Sequence, residues 1–386
     1  MAGIGRLKLR MRALLTGWVV FTSLFAHSGW ADNRYLVELN KTPAFVDGKP
    51  VLPETLSEEY DKHCYGEFSK GCTQFLVNNP EFTRLSTPDN PAYWQTYQKF
   101  LHGPDTKLTP TNQLDEDHSY RAIMDAATDT KYRLFSKPQV RNDVATLVKN
   151  FGAIRKKTAK AQSIFDLMVY VATLGIQASN LRLLLPVYAH ENNREALLQI
   201  RDAMTPFNTE ERSMRSALIG EAEFIYHSMQ IADWTLDDYR LSGVPFALEV
   251  AEQAMLTYQT QLIAHIGEAS ERSWTHYWQS GFSNTENPPP GVAFPPWNNP
   301  DFVTAMKTYT RTLRDVELHI HVVRGLIDLY LSDARNGQPN QEPPPLWRWH
   351  WDETETLLCL QPKNGPTDML PSPGTCVPFI SLEEEG

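Results

Sequence analysis

The sequence predicts a mainly α-helical protein, an irregular orthogonal helical bundle with a small antiparallel β-hairpin or sheet at its C-terminal end. Three observations carry this. Between about residues 116 and 336, apolar residues recur at helical spacing in segments bounded by caps and breakers. Past residue 337 the period changes to two, in Trp347-Arg-Trp-His-Trp351. Segment lengths vary, and nothing repeats at the roughly 20–50-residue period of a helical-repeat array.

The first 31 residues form a unit of their own. Arg6, Lys8, Arg10 and Arg12 precede an apolar run from Ala13 to Ala26, and Gly29-Trp30-Ala31 places small residues at the −3 and −1 positions. This is the pattern of a signal peptide, with cleavage expected after Ala31. The run is short for a span of about 30 Å of hydrocarbon, and Thr16, Thr22, Ser23 and His27 lie in or beside it. The expected location is therefore periplasmic or secreted, soluble after cleavage, with a membrane tether only if the signal is uncleaved. The first cysteine is Cys64, so no lipid-anchoring cysteine follows the cleavage site.

Residues 32–115 read as an irregular, proline-rich region. Tyr35-Leu-Val-Glu-Leu39 suggests a short strand, and Asn90 followed by Pro91 suggests the N-cap and first residue of a short helix to Leu101. The helical core, 116–336, divides into segments near 118–135, 140–160, 162–185, 191–204, 208–233 and 244–279, then a long helix over 301–335. Thr209-Glu-Glu-Arg after Pro206 is a helix-start signature, and a Pro/Gly/Asn loop occupies 281–300. The most apolar segment, Ile164 to Leu185, is interrupted by Asp166, Gln177, Asn180 and Arg182, which argues for a core helix rather than a span. Residues 337–386 read as a proline-rich loop and a small disulfide-stapled β unit packed on the core. In it Trp347–Trp351 pairs with Thr356–Leu360, and Val377–Leu382 adds an edge strand that tolerates its proline.

Four cysteines allow three pairings. Spacing favours Cys64–Cys72 and Cys359–Cys376, because short loops close at lower entropic cost. An exported chain makes these bridges natural, and CxxC-like metal spacing is absent.

The chain carries 36 basic and 46 acidic residues, a net charge of −10. The leader holds four of the basic residues and no acid, so the mature chain stands at −14. That disfavours nucleic acid and anionic membrane surfaces as partners. An unidentified protein or envelope component is the expected partner.

The strongest chemical anomaly is Glu221. It falls on the apolar face set by Met214, Leu218, Ile225 and Met229. A carboxylate there has either a raised pKa, suited to a general acid, or a partner. Arg182 is the candidate partner, which makes a structural ion pair Arg182–Glu221 the leading reading over catalysis. The stretch Ala217-Leu-Ile-Gly-Glu-Ala-Glu-Phe224 is similar to the glutamate helix of lytic transglycosylases. Ala222 stands where their motif has serine, however, and the activity is not carried over.

Glu317, His319 and His321 sit too close in sequence to share an ion on a helix, since residues two apart point about 200° from each other. Trp347, Trp349 and Trp351 fall on one strand face, as core packing on the 301–335 helix or as contact aromatics for a sugar or an apolar partner. No GxSxG, GxxxxGK[ST] or GxGxxG motif occurs, and no cofactor is expected. These observations favour an exported, non-enzymatic binding or accessory protein of the envelope or secreted fraction. The alternatives are an envelope hydrolase using Glu221 and a membrane-tethered accessory subunit.

Overall fold

The computed structural model describes residues 34–64, 71–104, 120–220, 300–332, 338–345, 347–353, 356–363, 376–380 and 382, together with 260, 263, 264, 267, 270 and 271. The architecture is mainly helical with a three-stranded antiparallel sheet near the C-terminal end. The helices among these residues are α1 (Arg34–Lys41), α2 (Glu54–Cys64), α3 (Cys72–Asn78), α4 (Pro80–Ser86), α5 (Pro91–His102), α6 (Arg121–Ser136), α7 (Pro138–Asn142), α8 (Val144–Ala159), α9 (Ile164–His190), α10 (Arg194–Ala203), α11 (Thr209–Arg212) and α12 (Pro300–Ser332). The strands are β1 (Trp347–Asp352), β2 (Leu357–Pro362) and β3 (Cys376–Pro378).

Helix α9 is the axis of the fold. It packs against α6, α8, α10 and α12, and its apolar residues are buried around most of its circumference. Over Asp166–His190 it is long and apolar enough to cross a membrane, but two-thirds of that window is covered by protein. Its polar residues serve the interior: Asn180 Nδ2 donates to the Ala127 carbonyl at 2.8 Å, and Gln177 Nε2 to the Tyr97 hydroxyl at 3.1 Å. The helix runs past the boundary expected at residue 185. Pro186 lies inside it near the C-terminal end and has no N–H to give the Arg182 carbonyl four residues back.

The N-terminal stretch differs from its expected irregularity. Residues 35–39 belong to α1, with Leu36 and Leu39 fully buried three residues apart, a helical spacing. Four more short helices follow, and α4 and α5 each begin with a proline in the first turn. Asn90 caps α5 as expected, its side chain accepting from the Ala92 amide at 3.0 Å. Around the Cys64–Cys72 disulfide a satellite core collects Phe75, Leu76, Phe82 and Leu183.

The expected segment 208–233 is broken. Asn208 and Glu211 form a capping box, α11 lasts one turn, and a new helix occupies residues 215–220. Gly220 lies against the Gln162 carbonyl oxygen, which would sit 1.9 Å from any added Cβ, so only glycine allows this approach. Most of the expected 244–279 segment lies outside the described residues.

The C-terminal sheet has the order β1-β2-β3, with Trp349 opposite Leu360 and Cys359 opposite Cys376. The second disulfide joins Cys359 and Cys376 across that register. Trp347 and Trp349 are buried, and Trp349 lies over Gly325 of α12, where a Cβ would come within 2.7 Å of its ring. Trp349 Nε1 donates to the Gln341 carbonyl, and Gln341 Nε2 donates to that of His321, which ties the loop 338–345 between helix and sheet.

Candidate functional site

Helices α5, α6, α8 and α9 leave a cavity of about 270 Å³ between them. Its chemistry rests on Trp94 and Tyr97 from α5, Arg133 from α6, Asn150 from α8, and Gln177 and Asn180 from α9. Each is delivered by a helix whose other face is in the core. Trp94 is fixed by its Nε1 donating to the Pro88 carbonyl at 2.9 Å. Tyr97 is fully buried and receives the Gln177 amide. Burial raises the Tyr97 hydroxyl pKa well above the usual phenol range, so it stays protonated.

Arg133 is the unusual member. Its guanidinium carbon lies 4.6 Å from the centre of the Trp94 ring, a cation–π distance. Its Nε is buried and without a hydrogen-bond partner, and among the described residues no carboxylate pairs with it. Burial lowers its pKa. A ready partner exists in sequence, because Asp129 stands four residues earlier on the same helix, the spacing at which such pairs form. Asp129 instead accepts a long 3.4 Å hydrogen bond from Tyr93. Its pKa rises to about 6, first through burial and then through the nearby Asp125 charge, with weaker opposition from Lys49 and Lys131.

Gln177 completes the pattern. Its residue is 8% exposed and its Oε1 is buried with no donor. Among the described residues the cavity thus brings together a cation lacking a counter-ion and an acceptor lacking a donor. A small molecule bearing an anionic group and a hydrogen-bond donor would satisfy both. Asp143 is the one carboxylate on this wall among the described residues, and it is committed to capping α8 through the Thr146 amide. The arrangement suits binding, and the described residues of its lining offer no nucleophile–base pair.

The residues singled out from sequence fall elsewhere. Glu221 lies outside the described residues, and with it the general-acid assignment and the Arg182–Glu221 pair. Arg182 makes no ion pair among the described residues; burial lowers its pKa to about 10, so it remains a cation at neutral pH. Glu317 is fully buried, with its oxygens taken by Arg212 at 2.6 Å and Arg314 at 3.1 Å. His321 sits beside that network, and its pKa falls to about 4 through burial, against the pull of Glu317. Among the described residues no three His, Cys, Asp or Glu side chains gather to hold a metal. Trp347 and Trp349 are packed inside, while Trp351 is half-buried, its ring edge-on to Phe379 at 6.0 Å.

The cavity was missed from sequence because its residues come from four helices and no two form a local motif. The local spacing Asp129–Arg133 reads in sequence as an ordinary helix ion pair, and only the tertiary contact with Tyr93 shows that Asp129 is engaged elsewhere. The chain matches no family model, and no curated protein and no solved structure is similar to it. The functional reading therefore rests on the cavity alone.

Proposed function

We propose that this is an exported, non-enzymatic binding protein that holds a small anionic ligand in the cavity under Arg133. The observation that carries the reading is the Arg133 guanidinium laid on Trp94 at that cavity, its buried Nε without a hydrogen-bond partner and no ion pair formed among the described residues. An arginine kept from its own helix neighbour costs stability unless something else uses its charge. Export is supported by the leader pattern, Arg6 to Ala31, and by two disulfides of the kind that persist in oxidising compartments. A volume of about 270 Å³ corresponds to some nine waters at about 30 Å³ each, hence a ligand of roughly ten heavy atoms.

The test is calorimetric titration of the mature chain with small hydroxy- and amino-carboxylates, lactate, malate, alanine and glutamate among them. At least one is expected to bind the parent and to lose binding in Arg133→Met. Equal binding by both proteins, or none to the parent across the series, overturns the reading.

A further inference from the structure

A second opening lies on the other side of α8. It is a groove of about 1020 Å³ between α8 and the end of α5, with Gln162 and Ser216 also in its lining. Lys149, Lys156 and Lys160 line it, seven and four residues apart, which places the first two on one face of α8 and the third at its C-cap just beyond. At 1.5 Å per residue the row covers about 16 Å. Between the lysines the floor is Gly152 and Ala153, and a Cβ added at Gly152 would meet nothing within 4 Å. The opposite wall is fixed in part by Lys157, which is buried, reaches the Gly103 carbonyl at 3.4 Å and lies over the Phe100 ring.

The charge here runs against the rest of the chain. Residues 144–165 contain five cations and no acid, in a protein with ten more acids than bases. Arg155, the fifth cation, faces away and is fully engaged elsewhere. Lys149, Lys156 and Lys160 are exposed and form no ion pair among the described residues. A row of like charges without internal partners repels itself and contributes nothing to folding. It does present a basic channel, longer than one small anion can occupy.

We propose that this groove binds a linear phosphate-bearing polymer, independently of the Arg133 cavity. Lysines are hydrated point charges that suit phosphate, whereas carboxylate recognition favours the arginine fork, which is absent among the described residues of the lining. Nucleic acid fits less well: no Phe, Tyr or Trp among the described residues lines the groove, so bases would find no stacking platform. The two openings share one partition, the 2.9 Å hydrogen bond between His102 of the groove and Asn150 of the cavity.

The experiment uses the full mature chain and short-chain inorganic polyphosphate as probe, with binding followed over a range of salt. The triple variant Lys149→Gln/Lys156→Gln/Lys160→Gln changes only exposed side chains, and its thermal melt checks that it folds. Binding is expected to weaken by at least about tenfold, with the slope of log K against log salt shallower by about two. Arg133→Met is expected to leave polyphosphate binding unchanged, which separates this result from the small-ligand reading. Unchanged affinity in the triple variant overturns the proposal. So does equally tight binding of orthophosphate or of polyglutamate of similar length, and tighter binding of a single-stranded oligonucleotide would reassign the groove to nucleic acid.

Discussion

Two arginines on neighbouring helices show how the same side chain can be closed or open. Arg155 of α8 uses its whole fork on the loop that joins α10 to α11. Its Nε and Nη2 donate to the two Glu211 oxygens at 2.7 and 2.6 Å, and Nη1 and Nη2 also reach the carbonyls of Ala203, Thr205 and Pro206. Phe207 lies beneath it at 5.2 Å. Arg133 of α6 has the same kind of aromatic platform in Trp94 and none of the acceptors. Arg155 is buried and Arg133 half-buried, so both give up hydration, and the two differ in what the protein offers in its place. For Arg155 the protein supplies everything. For Arg133 it supplies one face of a ring and leaves the polar rim open, which is what a ligand site needs before the ligand arrives.

The largest effect expected from breaking this contrast is on stability, at the closed arginine. Arg155→Met leaves Glu211 nearly buried without its cation and three carbonyls without donors. Loss of one partner from a buried pair costs about 3–5 kcal/mol, to be read from urea unfolding. At the open arginine the same change should barely register. Arg133→Met is expected within about 1 kcal/mol of the parent, because relief of an unmet buried donor offsets the lost cation–π contact. The two variants showing equal losses would mean that Arg133 is structural, and the cavity would lose its claim as a site.

A smaller effect separates platform from charge. Trp94→Phe keeps a ring beneath Arg133 but gives up the stronger indole face and the bond to Pro88. Ligand affinity should fall by about threefold, with the guanidinium still present, against near-complete loss in Arg133→Met. Titration of both variants with the ligand found for the parent checks this. An undiminished affinity in Trp94→Phe would show that the ring only fills space.

The contrast also explains what could be read from sequence. Period two in 347–351 and the locally spaced cysteines gave the C-terminal unit, because each signal lies within about twenty residues of its partner. The Asn90–Pro91 start and the long helix over 301–335 were equally local. Tyr35–Leu39 misled because its aromatic and β-branched residues favour strands, while the burial that decides the matter is the Leu36–Leu39 pair against α5 and α6. The break at Ser213 was hidden because the apolar spacing continues across it; at the break the Met214 amide donates to Ser270 Oγ, a contact 56 residues away, and the Ser213 hydroxyl accepts from the Arg215 amide to start the next helix. Arg133 and Gln177 are 44 residues apart and look like ordinary polar positions on amphipathic helices. Only their unmet hydrogen-bonding groups, in one cavity, mark them.

The smallest expected effect is the most direct probe of why Arg133 is open. Asp129 holds the i−4 position, and its pKa of about 6 against an ordinary 3.8 says that no strong cation stabilises its charge. The folded state therefore favours the protonated form. Its contribution to stability is fully present below about pH 4 and is lost as the pH rises through about 6. Asp129→Asn fixes the neutral form, so the variant should show a flatter stability profile between those limits and a modest gain at pH 7. A carboxyl titration followed by NMR supplies the deciding measurement. If Asp129 titrates below its ordinary value, it is paired with Arg133 after all, and the cation offered to a ligand is already neutralised. If it titrates near 6 and stays there in Arg133→Met, the two neighbours ignore each other. The guanidinium then belongs to the cavity, and addition of a small carboxylate to the parent should leave the Asp129 titration where it was.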